Sequence, residues 1–221
     1  LVCCVALIFV GCQQQVNVEM QTEHQSDKTS EWEIVIDKPV FSSVDPEVEK
    51  SCISFNETVT ALLLPFQDSV KAQAKEYVKL CVEAGDEPVG PYQLMVEDSV
   101  FMANAQYISI RLRIYSFTGG AHGMTTFKSL NYDVKNQKYL TQEEIFDFGK
   151  IAEINEQLKA NFHNPDNCFT EMPTLEGVSV VNFSTTAVDF TYEQYLLGAY
   201  ACGVAEISVP RVALKDMLLL K

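Results

Sequence analysis

The chain has 221 residues, 47% of them hydrophobic, and carries a formal net charge of −14 at pH 7. Its length is enough for one sizeable domain or two small ones that share an interface, and its apolar fraction predicts a packed core. The acidic charge argues against nucleic acid as a partner, because no cluster of Lys and Arg is available to displace counterions from a phosphate backbone.

The first segment is short and apolar, and a cysteine follows it. Residues 1–11 are too short to span a bilayer and lead to Cys12. The three residues before this cysteine, Phe9, Val10 and Gly11, resemble a bacterial lipobox, in which the cysteine is lipidated. The alternative is a buried strand, which the polar stretch after Cys12 disfavours. We therefore expect residues 1–12 to be a truncated lipoprotein signal, with a lipid anchor on Cys12.

The segment after the cysteine is polar. Residues 13–30 contain no aromatic side chain and are rich in Gln, Glu, Ser and Thr. This composition predicts a flexible tether, because such a segment has little apolar surface to bury. His24 is expected to be solvated within it.

A small N-terminal α/β module is predicted over residues 31–88. Residues 32–42 indicate an edge-type strand, since Pro39 offers no donor to a sheet ladder. Asp45 and Pro46 are typical of a helix N-cap and first helical position. A helix is expected from Pro46 to residue 64, and a second one from about residue 66 to residue 84, because Pro65 breaks the pattern.

A larger C-terminal module is predicted over residues 89–221. Strands are expected at residues 92–101, 107–117 and 125–134, as consecutive antiparallel neighbours. The second strand alternates, with Ile108, Ile110, Leu112 and Ile114 on a buried face and Arg111 and Arg113 on the other. Capping-box and helical-spacing signals predict helices after Thr141 and after Gly149. Further strands are expected at residues 178–183, 187–192 and 204–209, with a short final helix at residues 212–220. Because strands and helices come in blocks, the predicted fold is α+β, an antiparallel sheet with helices packed on one face.

The most function-like stretch interrupts the predicted sheet between two strands. The segment consists of Thr118, Gly119, Gly120, Ala121, His122 and Gly123. Glycine permits positive φ and close approach of a ligand to the backbone, and histidine titrates near neutral pH. His122 either bonds its own loop, contacts a ligand or acts as a general acid or base. The third role needs a positioned partner, for which Asp98, Asp133 and Glu193 are candidates.

Motifs of the common catalytic sites do not occur in the sequence. It contains no Gly-x-Ser-x-Gly elbow, no His-Glu-x-x-His and no phosphate-binding loop. A catalytic zinc needs about three protein ligands, and His122 has no partner at motif spacing. We therefore expect no metal, no cofactor and no catalytic residue, and a role other than catalysis.

An aromatic segment near the C-terminus supplies the other candidates. Tyr192, Tyr195 and Tyr200 can stack on a sugar or fill a pocket of a protein partner, or they can belong to the core. Besides Cys12, the later cysteines are Cys52, Cys81, Cys168 and Cys202. These four allow three disulfide connectivities, and free buried thiols at Cys52 and Cys81 are an equal alternative.

Several motifs together resemble a known bacterial family. They are the stretch at residues 118–123, the Glu144-Ile145-Phe146 helix start, and the Tyr200-Ala201-Cys202-Gly203 segment followed by Ile207 and Pro210. They resemble the extracytoplasmic domain of unknown function in RsiV-like anti-sigma factors, which sense lysozyme, and in PdaC-like peptidoglycan deacetylases. Residues 32–85 are similar to the smaller module that precedes this domain. The sequence shows no deacetylase domain and no sigma-binding segment, so the resemblance implies only the binding module.

This resemblance implies an exported protein, lipid-anchored to a bacterial membrane on its periplasmic or outer face. Its expected function is to bind or sense a cell-envelope ligand, either a peptidoglycan-type glycan or a basic protein such as lysozyme, which the acidic charge would attract. The predicted ligand-binding residues are 118–123 with Tyr192, Tyr195 and Tyr200. An envelope hydrolase that uses His122 and a structural envelope protein are the alternatives.

Overall fold

The structure, a computed structural model, describes residues 17–220. The predicted signal segment and its lipidation site, Cys12, lie outside these residues. None of the helices in the described part combines the length and hydropathy that a membrane span requires.

Nine strands and three α-helices make up the described part of the chain. The strands are β1 (Val18–Lys28), β2 (Trp32–Ser43), β3 (Tyr92–Ala103), β4 (Tyr107–Phe117), β5 (Met124–Asp133), β6 (Lys138–Tyr139), β7 (Val180–Phe183), β8 (Ala187–Tyr192) and β9 (Ala205–Pro210). The helices are α1 (Pro46–Ala84), α2 (Gln142–Ile145) and α3 (Ile151–Asn161). The predicted final helix is only a 3-10 turn at Arg211–Leu214, because Leu218 instead forms a β-bridge with Phe146.

The fold is α+β, as predicted. A six-stranded sheet has the order β1-β2-β3-β4-β5-β6, and a separate three-stranded sheet has the order β7-β8-β9. Strands β3, β4 and β5 are consecutive antiparallel neighbours, which confirms the prediction for them. The prediction of a wholly antiparallel sheet was wrong at one place, because β2 and β3 pair in parallel. The connection between these two strands contains α1, and a helical crossover permits parallel pairing.

Residues 17–30 are not a flexible tether, contrary to the prediction. Strand β1 pairs with β2 over its whole length, and His24 lies opposite Asp37 with their side chains 2.7 Å apart. Almost all of β1 is exposed, so its polar composition reflects a solvated outer strand rather than disorder. Strand β2 is correspondingly an interior strand, and Pro39 is accommodated because the pairing with β3 ends at Ile36.

Helix α1 is one continuous helix of 39 residues, not two helices. The Asp45 carboxylate caps it by accepting hydrogen bonds from the backbone N–H groups of residues 47 and 48, as the sequence predicted. Pro65 lies inside the helix, where it is exposed to solvent. The buried stripe runs through Leu63 before the proline and Val70 after it, so packing on the sheet holds both halves in line.

One face of the six-stranded sheet and α1 enclose the first hydrophobic core. Its buried members include Ile34, Ile36, Phe55, Val59, Leu63, Leu94, Val96, Ile108, Ile110, Leu112 and Ile114. The alternation predicted for β4 is therefore confirmed, with its isoleucines on the α1 face. A second core lies between the small sheet, α3 and the C-terminal segment, and it includes Ile154, Leu158, Phe183, Phe190 and Ile207.

The small sheet packs against the other face of the large sheet through polar side chains. Ser109 and Asn131 on the large sheet bond Asn182 and the backbone of β7. The module boundary predicted between residues 88 and 89 stays a prediction, and the strands on its two sides, β2 and β3, pair within one sheet.

Candidate functional site

The glycine–histidine loop, residues 118–123, connects β4 to β5. It lies at the end of the strands where β3 begins. The register places Gln93 opposite Phe117, so the start of β3 lies beside the loop. Gly119 and Gly120 both have φ of +91°, a conformation that side-chain-bearing residues rarely adopt. Both are exposed, which leaves their backbone groups open to solvent.

The third glycine of the loop is required for packing. A Cβ on Gly123 would overlap the ring of Tyr115, so the ring or the loop would have to move. The close approach leaves the Gly123 carbonyl where it accepts a hydrogen bond of 2.8 Å from the Tyr200 hydroxyl. This bond joins the loop to the aromatic segment, although the two are 77 residues apart in sequence.

Three aromatic rings, one of them from the loop itself, lie in contact with or close to one another. The rings of His122 and Tyr200 are stacked, with centroids 3.8 Å apart and an interplanar angle of 20°. Tyr195 lies 5.6 Å from Tyr200, is 58% exposed, and has a positive φ of 73°. We call His122, Tyr200 and Tyr195 the aromatic platform. The structure thus brings together the loop and two of the three predicted tyrosines.

Tyr192 is not part of this surface, contrary to the prediction. Its side chain is fully buried at the end of β8, and its hydroxyl donates to the carbonyl of Thr174 at 2.8 Å. Burial also raises its pKa well above the ordinary tyrosine value. It points into the second core because β8 alternates faces, and the aromatic run in the sequence does not reveal which face a tyrosine takes.

The aromatic segment at residues 192–203 is joined to the loop after α3 by a disulfide and to the large sheet by a hydrogen bond. Cys168 and Cys202 form a disulfide, and Cys52 and Cys81 are free thiols. Of the alternatives left open by the sequence, the structure therefore has one bridge and two free cysteines. Burial raises the pKa of the Cys52 thiol to about 11, which keeps it protonated and unreactive. The Glu193 carboxylate accepts a hydrogen bond from the backbone N–H of Phe127 at 2.7 Å.

His122 contacts its own loop and Tyr200. Its Nδ1 lies 3.1 Å from the Gly123 carbonyl, to which a protonated Nδ1 donates. Two of the three candidate carboxylates lie elsewhere on the sheet. Asp98 pairs in register with Leu112, in the middle of β4, and Asp133 pairs with Tyr107 at the end of β4 away from the loop. Among residues 17–220, no group of three or more His, Cys, Asp or Glu side chains is arranged to hold a metal ion.

Sequence reasoning missed a cleft on the other side of the same loop. It has a volume of about 340 Å³ and is lined by Tyr77, Val89, Tyr92, Phe117, Thr118, Gly119 and Gly120. We call it the tyrosine cleft. The rings of Tyr77 and Tyr92 are stacked at 5.3 Å, and the Tyr77 hydroxyl accepts a hydrogen bond from the backbone N–H of Val89. Tyr77 lies on α1 and Tyr92 on β3, so only the packing of the helix on the sheet creates the cleft.

A larger cleft, of about 440 Å³, lies at the opposite end of the sheet. Its lining includes Asp133, Lys135, Lys138 and Glu144. The Lys138 ammonium is already paired with Glu144, and the Asp133 carboxylate accepts two hydrogen bonds from Asn136. Three of these four charged groups are therefore already paired, and the exposed aromatic rings beside the loop remain the better candidate site.

Two solved structures have the same fold as this chain. A DUF3298-family protein from Bacteroides fragilis superposes with a TM-score of 0.72 at 16% identity, over 93% of this chain and 95% of that one. A DUF3298-family protein from Pseudomonas aeruginosa superposes with a TM-score of 0.57 at 18% identity, over 94% and 96% of the two chains. At these identities the likeness shows a shared fold.

The sequence also matches a named deacetylase family. Residues 25–125 match the family model described as Deacetylase PdaC, a stretch that runs from β1 to the start of β5 and includes the glycine–histidine loop. The chain is 24% identical over 216 residues to the peptidoglycan-N-acetylmuramic acid deacetylase PdaC of Bacillus subtilis. The alignment covers 93% of this chain but 42% of that relative, so the chain spans less than half of its length. The predicted PdaC-like resemblance is thus supported, and the RsiV-like resemblance stays a prediction.

Proposed function

We propose that this chain is an extracytoplasmic binding module that recognises a peptidoglycan-type glycan at the aromatic platform and the glycine–histidine loop. The observation that carries the proposal is the cluster of the His122, Tyr200 and Tyr195 rings, of which the first two are stacked and the third is tilted, next to the open backbone of Gly119 and Gly120. The similarity to a peptidoglycan-N-acetylmuramic acid deacetylase supports the choice of ligand.

The chemistry of a sugar matches these groups. One face of a pyranose ring presents C–H groups that pack on an aromatic ring, while its hydroxyls need hydrogen-bond partners. The rings provide the flat apolar surface, and the glycine backbone provides N–H and C=O groups that no side chain covers. Since the platform is held from below by the Tyr200–Gly123 hydrogen bond and the Cys168–Cys202 disulfide, little ordering is needed on binding.

Binding accounts for the site better than hydrolysis by His122 does. A general base needs a positioned partner, and the ring of His122 is stacked on Tyr200 with its Nδ1 on a backbone carbonyl. The hydrolase alternative needs a second catalytic group, such as a nucleophile or an acid, and the contacts of His122 are with a tyrosine ring and a backbone carbonyl.

The proposed location is outside the cytoplasm, at a bacterial membrane to which Cys12 anchors the chain. The Cys168–Cys202 disulfide supports an oxidising compartment, where such bonds persist. A peptidoglycan ligand would be available only there.

A basic protein such as lysozyme is the second candidate ligand. The observation that favours it is the net charge of −14, which would steer a cationic partner toward this chain. A glycan and a basic protein differ in the effect of salt, because screening slows only the association of charged partners.

The test is to measure the binding of purified muropeptides and of lysozyme to the whole chain, at low and moderate salt. Tyr195→Ala removes an exposed platform ring and is expected to weaken muropeptide binding about three- to tenfold, with little effect of salt. Phe148→Ala removes a 39% exposed ring at a distant 3-10 turn and serves as the control.

Unchanged muropeptide affinity in both Tyr195→Ala and His122→Ala proteins would place the glycan site elsewhere. The second candidate would be favoured if lysozyme bound with an on-rate that falls steeply with salt and muropeptides did not bind.

A further inference from the structure

We propose that the tyrosine cleft is a second sugar-binding subsite, and that it takes an uncharged N-acetylated pyranose, of the N-acetylglucosamine type. This inference rests on the proposed function, because it names the sugar that a neighbouring site on the same loop would hold. The cleft contains none of the three platform rings, although Gly119 and Gly120 of the loop border both sites.

The cleft has the size and the walls that a single sugar ring requires. Its volume of about 340 Å³ lies at the small end of the range for ligand pockets. Tyr77, Tyr92 and Phe117 provide aromatic walls, and Val89, which is 82% exposed, closes one side. Stacked tyrosines are already fixed against each other, so the sugar would meet a surface that needs little reorganisation.

Hydrogen-bonding groups reach the cleft from both of its sides. The Tyr92 hydroxyl lies 3.6 Å from the position that a Cβ on Gly119 would occupy, so it stands next to open glycine backbone. The Tyr77 hydroxyl uses a lone pair to accept from the Val89 N–H, which leaves its own proton to donate. An acetamido group carries one N–H donor and one C=O acceptor and can therefore bond both a hydroxyl and a backbone group.

The charge of the cleft selects between the two sugars of an envelope glycan. None of its lining residues carries a charge, and the chain as a whole is strongly acidic. A carboxylate that enters such a cleft loses hydration without gaining a cation, which is unfavourable. The N-acetylmuramic acid unit carries a lactyl group whose carboxyl is either free and charged or joined to a stem peptide that bears charged groups, whereas the N-acetylglucosamine unit is neutral. The cleft therefore favours the neutral sugar.

The test is calorimetric titration of the whole chain with an N-acetylglucosamine tetramer, with N-acetylmuramic acid and with muropeptides. Tyr77→Ala removes one wall of the cleft and is expected to weaken tetramer binding about three- to tenfold. Tyr77→Phe keeps the ring and should retain most of the affinity. Tyr77 is only half-buried where α1 meets β3, and circular dichroism of each variant verifies that the fold is kept.

Each outcome separates this subsite from the platform. Tetramer binding that is weakened by Tyr77→Ala supports the subsite, whether or not Tyr195→Ala also weakens it. Full tetramer affinity in Tyr77→Ala together with loss in Tyr195→Ala overturns the subsite and leaves the proposed function in place. N-acetylmuramic acid that binds the wild type as tightly as the neutral sugar overturns the charge argument. A wild type that binds none of the three probes overturns both proposals.

Discussion

The glycines of the loop have different physical roles, although the sequence presents them as one motif. Gly119 and Gly120 allow a backbone with positive φ, and nothing lies within 4 Å of a Cβ on Gly120. Gly123 has an ordinary φ but no room, because the ring of Tyr115 occupies the place of a side chain. The first two shape the exposed backbone, and the third allows the loop to pack closely enough for Tyr200 to reach its carbonyl.

A methyl group at Gly123 should therefore disturb both packing and the platform. Gly123→Ala forces Tyr115 or the loop to move, and overpacking of this kind costs about 1–3 kcal/mol of unfolding free energy. Urea unfolding followed by fluorescence measures the cost. Gly177→Ala is the control, because the nearest atom to its Cβ is the Thr174 hydroxyl at 3.3 Å, which is the end of a small side chain. Equal stabilities for both variants would contradict the packing argument.

Helix α1 shows how packing can override a local break signal. Pro65 lacks a backbone N–H and crowds the preceding turn, which costs about 3 kcal/mol in a helix interior. The helix nevertheless continues, because its buried stripe lies on the sheet before and after the proline. Its exposed position lets water solvate the carbonyl that has lost its partner.

Replacement of this proline should stabilise the protein. Pro65→Ala restores one backbone hydrogen bond and should raise the unfolding free energy by about 2 kcal/mol. This value is lower than the full cost of the proline because the unfolded chain gains freedom when alanine replaces it. Chemical denaturation of both proteins gives the difference in unfolding free energy. Pro46→Ala is the matched control, since a proline at the first helical position has no intrahelical bond to lose. A Pro65→Ala protein that is no more stable than wild type would contradict the cost assigned to this proline.

Across the whole molecule, the two sheets are joined by polar contacts. Arg111 on β4 is only 14% exposed in its side chain and bonds Glu206 at 2.6 Å and the Thr191 hydroxyl at 2.7 Å. Its guanidinium also lies over the rings of Phe101 and Phe127. At Arg111 the charged face of β4 is therefore an interface between sheets, whereas Arg113 on the same face is exposed and pairs with Glu97.

Asp189 on β8 should make stability depend on pH. Burial raises the pKa of its carboxyl above the ordinary value of 3.8, against the smaller effects of Ser208 and Arg111, while Glu206 raises it further. In the window just above 3.8, the native state therefore holds a proton that the unfolded state has lost. The stability linked to this group is present below its unfolded pKa and is lost as pH rises through its folded pKa.

Asp189→Asn removes this titration and should raise the unfolding free energy at pH 7, with the gain shrinking toward pH 3. Urea unfolding at the two pH values measures it, with the same exchange at exposed Asp166 as the control. A variant that is less stable than wild type at pH 7 would show that the attraction to Arg111 outweighs the cost of burial.

The sequence by itself determined the features that depend on neighbouring residues. The alternation of β4, the cap at Asp45, the start of α2 after Thr141 and the stripe of α3 were all predicted, because period and capping are local. The glycine–histidine loop was also identified as a candidate site from its composition. Tyr200 was named as a candidate from a second motif, and only the structure shows that it contacts the loop.

The tertiary structure decided what depends on contacts between distant segments. It turned the polar stretch at Val18–Lys28 into a paired strand, carried α1 through Pro65, and buried Tyr192 while exposing Tyr195. It also created the tyrosine cleft from a helix and a strand. The physical reason is the same in each case: pairing and burial are supplied by segments far along the chain, and their free energy outweighs the local preferences that a sequence pattern records.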